Sequence, residues 1–141
     1  MDKTYTLRRR EMIRLSGIAL ATTLVGCTSG SVPSEVTVKM TSDLRFDPKS
    51  TRVKKGGTVR WINESNVPHT VTAYADKMPE NADYFASGGF NTEKEARQNM
   101  KKGFIEPNQS YQHTFGVSGI YEYFCIPHEG SGMVGKIEVV D

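Results

Sequence analysis

Nine consecutive residues, Cys125-Ile126-Pro127-His128-Glu129-Gly130-Ser131-Gly132-Met133, carry a thiol, an imidazole and a thioether, and a second imidazole, His69, lies far upstream. A thiolate, two imidazoles and a thioether form the donor set of an electron-transfer copper site. The soft Cu(I) ion favours sulfur, while imidazole suits both copper oxidation states. A trigonal plane of His69, Cys125 and His128 with a weak axial Met133 is ideal for neither ion. The charge of such a site changes with little rearrangement, so it passes single electrons and makes or breaks no bonds. Cys125 must bind as thiolate, so metal affinity should fall at low pH.

Each of these residues has an ordinary explanation when taken alone. A single Cys near a C-terminal strand is commonly a small buried hydrophobe, a single Met fills core gaps, and a single His sits at the surface or is satisfied in the core. The order and spacing carry the copper assignment: Cys-x-x-His-x-x-x-x-Met with Pro68-His69 upstream.

Local chemistry stiffens the segments that bear the donors. Pro127 lacks an N–H and directs Ile126 away from helical dihedrals, and Pro68 does the same just before His69. Gly130 and Gly132 permit a tight turn that aims Met133 back at the metal. Around these segments the chain reads as short strands. Glu35 to Met40 alternates polar and apolar, Thr51 to Val53 runs into the turn Lys54-Lys55-Gly56-Gly57, and Thr58 to Asn63 follows as another strand. A short strand begins with His69 at its head and runs to Tyr74. Ser110 to Phe115, Gly119 to Phe124 and Gly135 to Val140 complete the set. Within the long excursion from Asp76 to Pro107, Thr92 is a helix cap with Glu95 three residues on, and the helix is expected to reach about Lys102 before Gly103. Short strands, frequent turns and one helical insertion predict an all-β sandwich.

The chain resembles the blue copper proteins of the plastocyanin, amicyanin and halocyanin group, and most of all the halocyanins. The resemblance rests on Pro68-His69-Thr70-Val71, on Tyr121-Glu122-Tyr123-Phe124-Cys125 and on the loop to Met133. Phe46-Asp47-Pro48, Val53, Gly56-Gly57-Thr58-Val59 and Trp61-Ile62-Asn63 fit the N-terminal half of that group. Tyr84-Phe85-Ala86-Ser87-Gly88-Gly89-Phe90 fits its halocyanin branch. The likeness covers roughly Val36 to Val140. It implies a cupredoxin Greek-key β-sandwich over residues 36–141, binding one copper ion through His69, Cys125, His128 and Met133. One position departs: plastocyanins and amicyanins usually carry Asn after the upstream His, where its side chain helps tie the two ligand loops, and here that residue is Thr70. The surroundings of the metal, and with them its reduction potential, need not follow the group.

At 141 residues the chain is one domain plus a leader. Residues 1–26 read as a twin-arginine lipoprotein signal peptide. Arg8-Arg9-Arg10-Glu11-Met12-Ile13-Arg14 precedes the apolar run Leu15 to Gly26, which is too short to span a membrane. That run ends in Leu24-Val25-Gly26-Cys27, which resembles a lipobox, so Cys27 becomes the lipidated first residue of the mature protein. Residues 27–35, rich in Ser and Gly, form a flexible linker. A twin-arginine route carries folded cargo, and one lipid tethers the domain to the outer face of the cytoplasmic membrane. With one Cys for lipid and the other for copper, a Cys27–Cys125 disulfide would abolish both roles. Five of the 18 Lys/Arg and two of the 16 Asp/Glu precede Cys27, so the mature chain carries a net charge of about −1. No basic stripe supports nucleic-acid binding.

His113 alternates with Tyr111 and Phe115 on a strand and is read as structural, and Trp61 as core. Lys94, Arg97, Lys101 and Lys102 form a basic run on the inserted helix, read as a solvated face; Asp76, Glu80 and Asp83 form a loose acidic cluster. The resulting expectation is a monomeric, membrane-tethered carrier of single electrons, not an enzyme, that meets redox partners transiently at the exposed edge of His128 beside Pro127 and Met133. Copper trafficking or storage with the same ligands is the alternative. Three His in all and six scattered Met speak against the open, Met- or His-rich site that metal delivery favours. The absence of His-x-His pairs speaks against a second metal centre and hence against a copper oxidase or nitrite reductase. A metal-free adhesion-type sandwich leaves the ordered ligand set unexplained.

Overall fold

The computed structural model describes residues 31–141. The leader 1–26, Cys27 and the first part of the linker lie outside the described residues. The described chain forms β1 (Glu35–Met40), β2 (Phe46–Asp47), β3 (Ser50–Lys54), β4 (Thr58–Asn63), β5 (Thr72–Ala73), α1 (Glu93–Gln98), β6 (Ser110–Thr114), β7 (Gly119–Phe124) and β8 (Val134–Val140). One sheet has the order β2-β1-β4-β6 and the other β3-β8-β7-β5. β1 runs parallel to β4 with Val38 opposite Trp61, and β7 runs antiparallel to β8 with Tyr123 opposite Gly135. The all-β sandwich with one short helical insertion is borne out.

Strand alternation decides what enters the core. β4 turns Val59, Trp61 and Asn63 inward, β7 turns Tyr121 and Tyr123 inward, and β8 turns Gly135, Ile137 and Val139 inward. Trp61 stacks on Phe85 and Tyr111 with centroids 6.0 and 5.6 Å away, and the Tyr123 ring meets it edge-on at 5.3 Å. Gly135 is glycine because a Cβ there would run into Cζ and Oη of Tyr123. Extending the period-two pattern past the strand ends brings Cys125, after Tyr121 and Tyr123, and Met133, before Gly135, to the same end of the sandwich. Both are fully buried.

Three local expectations need correction. His69 does not head a strand: its backbone pairs with Ile105 in an isolated bridge, and only Thr72–Ala73 form a ladder with β7. Thr92 caps α1 as expected, its Oγ1 accepting from the Glu95 N–H at 3.1 Å, but the helix stops at Gln98. There Asn99 leaves helical dihedrals at φ −123°, ψ 42°, and its backbone N–H and its Nδ2 both donate to the Glu95 carbonyl at 3.0 Å, closing the last turn. Residues Met100–Gly103 continue as a 3₁₀ turn. Finally, Pro127 does not keep Ile126 out of helical structure. Ile126 opens the 3₁₀ turn Ile126–Ser131, whose first turn tolerates the missing N–H of proline.

His113 is half-buried, with its ring stacked on Phe85 at 4.8 Å. It lies outside the donor cluster, in keeping with a structural role.

Candidate metal centre

Two chain segments meet at the ligand end. The first is the turn Ile126–Ser131, which leaves β7 and returns into β8. Its backbone closes on itself: the His128 N–H donates to the Cys125 carbonyl at 3.2 Å, and the Met133 N–H to the His128 carbonyl at 3.2 Å. The Cys125 N–H donates to the Met133 carbonyl at 3.0 Å, tying the two sulfur-bearing residues together. Gly132 caps the turn at φ +84°, in the left-handed region that favours glycine. Gly130 has no such requirement. The second segment carries His69, held by paired backbone bonds to Ile105: His69 N–H to Ile105 O at 3.2 Å and Ile105 N–H to His69 O at 2.8 Å.

Together they converge three donor atoms. His69 Nδ1 and His128 Nδ1 are 3.2 Å apart, and Cys125 Sγ lies 3.7 Å from the first and 3.4 Å from the second. His69 and Cys125 are fully buried, and His128 is partly exposed. The triangle is the size expected of ligands sharing one ion at about 2.0 Å to nitrogen and about 2.3 Å to sulfur. The soft thiolate, two imidazoles and a buried Met133 on the same loop suit copper. The donor set therefore fits the ion.

The surroundings fix which nitrogen of His69 is bare. Asn63, inward-facing at the end of β4, donates from Nδ2 to the Val67 and Ile105 carbonyls at 2.7 and 2.9 Å. Its Oδ1 then accepts from the Ser65 N–H at 2.9 Å and the Ser65 O–H at 2.7 Å. The single Ser65 hydroxyl proton goes to Asn63 Oδ1 or to the Val67 carbonyl 3.0 Å away, so its Oγ accepts from the His69 Nε2–H at 2.8 Å. Satisfying this network puts the ring proton on Nε2 and leaves the Nδ1 lone pair facing Cys125 and His128. Burial, reinforced by the nearby His128, lowers the His69 pKa from 6.5 to about 4, and burial lowers that of His128 too. Both imidazoles stay neutral and ligand-ready at neutral pH.

Thr70 makes the link between loops. Its Oγ1 accepts from the Ile126 N–H at 2.8 Å, and its own N–H donates to Cys125 Sγ at 3.3 Å. Burial raises the Cys125 pKa, and the bonds from Thr70 and the His128 backbone oppose that rise by favouring thiolate. Thr at this position therefore still joins the two ligand segments, with a hydroxyl oxygen as acceptor.

The structure brings His69, Cys125 and His128 together and buries Met133 at the end of the loop that carries Cys125 and His128. Cys27 lies outside the described residues. Met133, at 0 % exposure, contributes nothing to a docking surface, contrary to expectation; Pro127 is exposed, as is Val67 at 39 %. Sequence reasoning missed Ser65, Asn63 as a polar anchor, and the contacts of Glu129. Only the polar Ser65 four residues before His69 hinted at a partner for the ring.

A two-sheet β-sandwich with a Cys/His/His cluster at one end defines the cupredoxin class of copper proteins. The chain belongs to the plastocyanin/azurin family of copper binding proteins, which matches residues 32–140. It is 36% identical to the plastocyanin of Scenedesmus fuscus, over 74% of this chain and 99% of that protein. It is 32% identical to the plastocyanin of Synechococcus sp. (strain JA-2-3B'a(2-13)), over 99% of this chain and 98% of that one. Among solved structures it resembles pseudoazurin from Methylobacterium extorquens AM1, with a TM-score of 0.57, 27% identity and 76% of each chain covered. Copper is thus the cofactor, and the family consists of electron carriers rather than enzymes.

Proposed function

We propose that this chain is a membrane-tethered carrier of single electrons. One type 1 copper ion held by His69, Cys125, His128 and Met133 supplies the one-electron couple between Cu(I) and Cu(II). The observation that carries the reading is the convergence of Nδ1, Nδ1 and Sγ atoms into a triangle with edges of 3.2, 3.4 and 3.7 Å. The residues hold their donors in place, so little of the protein must move when charge changes. Ser65 keeps the His69 Nδ1 lone pair available, and Thr70 stabilises the Cys125 thiolate. Burial of His69, Cys125 and Met133 keeps water from three of the four ligands. It also disfavours the release of metal that trafficking or storage requires.

The partly exposed His128 edge, with exposed Pro127 and Val67, is the proposed contact for redox partners. Such encounters are small and transient. Cys27, through a lipid, holds the monomeric domain at the outer face of the cytoplasmic membrane, and the twin-arginine leader takes it there. No helix among the described residues is long and apolar enough to cross a membrane. Within the family, the stretch Tyr84–Phe90 supports a place near the halocyanins.

Voltammetry of the copper-loaded chain tests the carrier role. A reversible one-electron wave with fast exchange supports it; copper that is lost on reduction favours trafficking. For the anchor, Cys27→Ser should release the protein from the membrane fraction. Equal retention of the variant would refute the lipid.

A further inference from the structure

The inserted helix reaches back to the ligand turn. Phe124 immediately precedes Cys125, Glu129 immediately follows His128, and Arg97 of α1 touches both. Its guanidinium carbon lies 4.2 Å from the Phe124 ring centroid. Its Nη1 donates to Glu129 Oε2 at 2.8 Å and its Nη2 to Oε1 at 3.3 Å. Its Nε donates to Glu93 Oε2 at 2.9 Å, one helical turn back, and Glu93 Oε1 accepts from the Ala75 N–H at 2.9 Å. Tyr74 completes the set: its ring stacks on Phe124 at 4.3 Å, and its hydroxyl donates to Glu129 Oε1 at 2.9 Å.

Isolated surface ion pairs contribute little, but a forked Arg–carboxylate pair within a network is the exception. Here the Arg97, Glu129 and Glu93 side chains are 38%, 32% and 24% exposed, so they are partly withdrawn from solvent. Three of these polar bonds end on Glu129 and both ring contacts on Phe124, the two residues that bracket Cys125 and His128, while Glu93 anchors Arg97 from the other side. His69 is fixed by burial and by Ser65, but His128 sits on a six-residue 3₁₀ turn that is partly exposed. A short 3₁₀ turn has poor hydrogen-bond geometry of its own.

We propose that Arg97 is a positioning residue for His128: through the fork to Glu129, seconded by Tyr74, the inserted helix braces the ligand turn. The brace keeps the His128 donor atom in place as the charge of the site changes. This role rests on the copper-carrier reading, whereas the brace is built from protein side chains alone and can be tested without copper.

The test uses the full chain with Arg97→Lys, Arg97→Gln and Glu129→Gln. Arg97→Lys keeps the positive charge but loses the planar fork, so it separates geometry from charge. In copper-free protein, amide hydrogen exchange at His128 and Gly132 should quicken about tenfold in all three variants, while the β7 and β8 amides exchange as before. With copper bound, loss of Cu(I) to a chelator should quicken about tenfold, within the range for changes behind metal-bound imidazoles. The thiolate-to-copper band should shift alongside. Unchanged exchange at 126–132 in Glu129→Gln overturns the brace, as does an Arg97→Lys variant that matches the parent in every readout. General loss of protection in the Arg97 variants would mark a role in folding instead, and Glu129→Gln then decides. A parent chain that binds copper without a thiolate band refutes the carrier reading, and the copper-free exchange data still judge the brace.

Discussion

Replacing Ser65 with Ala removes one hydroxyl and, with it, the acceptor of the His69 Nε2–H 2.8 Å away. His69 is 0 % exposed, so bulk water does not take over that bond. In the copper-free variant the ring can move its proton to Nδ1, where His128 Nδ1 lies 3.2 Å away as a partner. Copper needs the Nδ1 lone pair, which returns the proton to Nε2 and leaves it unpaired. The penalty therefore falls on the copper-bound form. An unsatisfied buried donor costs about 1–3 kcal/mol, and about 1.4 kcal/mol is a factor of ten in affinity. Copper affinity should drop about 10- to 100-fold, while the urea midpoint of copper-free protein falls separately through the lost hydroxyl bonds to Asn63 Oδ1 and the Val67 backbone. Competition for Cu(I) against a chelator of known affinity reads the first quantity, and denaturation of the copper-free chain reads the second. Ser65→Thr keeps a hydroxyl and should recover most of the affinity. Ser65→Ala with the parent's affinity would refute the tautomer argument.

Thr70→Val removes the acceptor of the Ile126 N–H with little change of shape, and should cost about 1–3 kcal/mol in the denaturation of copper-free protein; an unchanged midpoint would show that the loops do not depend on this link. Gly135→Ala drives a methyl into the Tyr123 ring and should destabilise by about 1–3 kcal/mol or more, whereas Gly130→Ala, with nothing within 4 Å of the new carbon, should be close to neutral; thermal melts of the pair check the contrast. Copper-free protein should lose stability on acidification. The unfolded chain protonates its His69 near 6.5 and the folded chain only near 4, so the contribution is intact above about pH 6.5 and disappears as pH falls towards 4. His113 and His128, also lowered, act in the same direction. Urea midpoints that stay flat between pH 7 and 4.5 would contradict this.

The four proposed donors were legible because three share one loop and strand alternation dictates the direction of Cys125 and Met133. Cys125 follows Tyr121 and Tyr123 on the inward face, and Met133 precedes Gly135 on the inward face of the next strand. β1 and β4 were legible for the same reason. His69 misled because a run with strand-like composition was enough to suggest a ladder, whereas its actual partner, Ile105, is brought in by the long excursion. α1 ended early where Asn99 caps it with both a backbone and a side-chain bond to the Glu95 carbonyl, a local arrangement that composition does not rank. Ser65 and Arg97 were invisible as functional residues. Ser65 matters only once Asn63 or the Val67 carbonyl has claimed its proton, and the Arg97–Glu129 fork joins residues 32 positions apart. Lys94, Arg97, Lys101 and Lys102 looked like one solvated face, yet Arg97 is tied to the ligand turn.

The most direct measurement is the optical spectrum of the chain loaded with one equivalent of Cu(II), beside Cys125→Ser treated identically. Convergence of His69 Nδ1, His128 Nδ1 and Cys125 Sγ should give an intense thiolate-to-copper band that bleaches reversibly on reduction and is absent from the variant. A pale spectrum in the parent chain, or a band that survives in Cys125→Ser, would contradict a copper centre built on these residues.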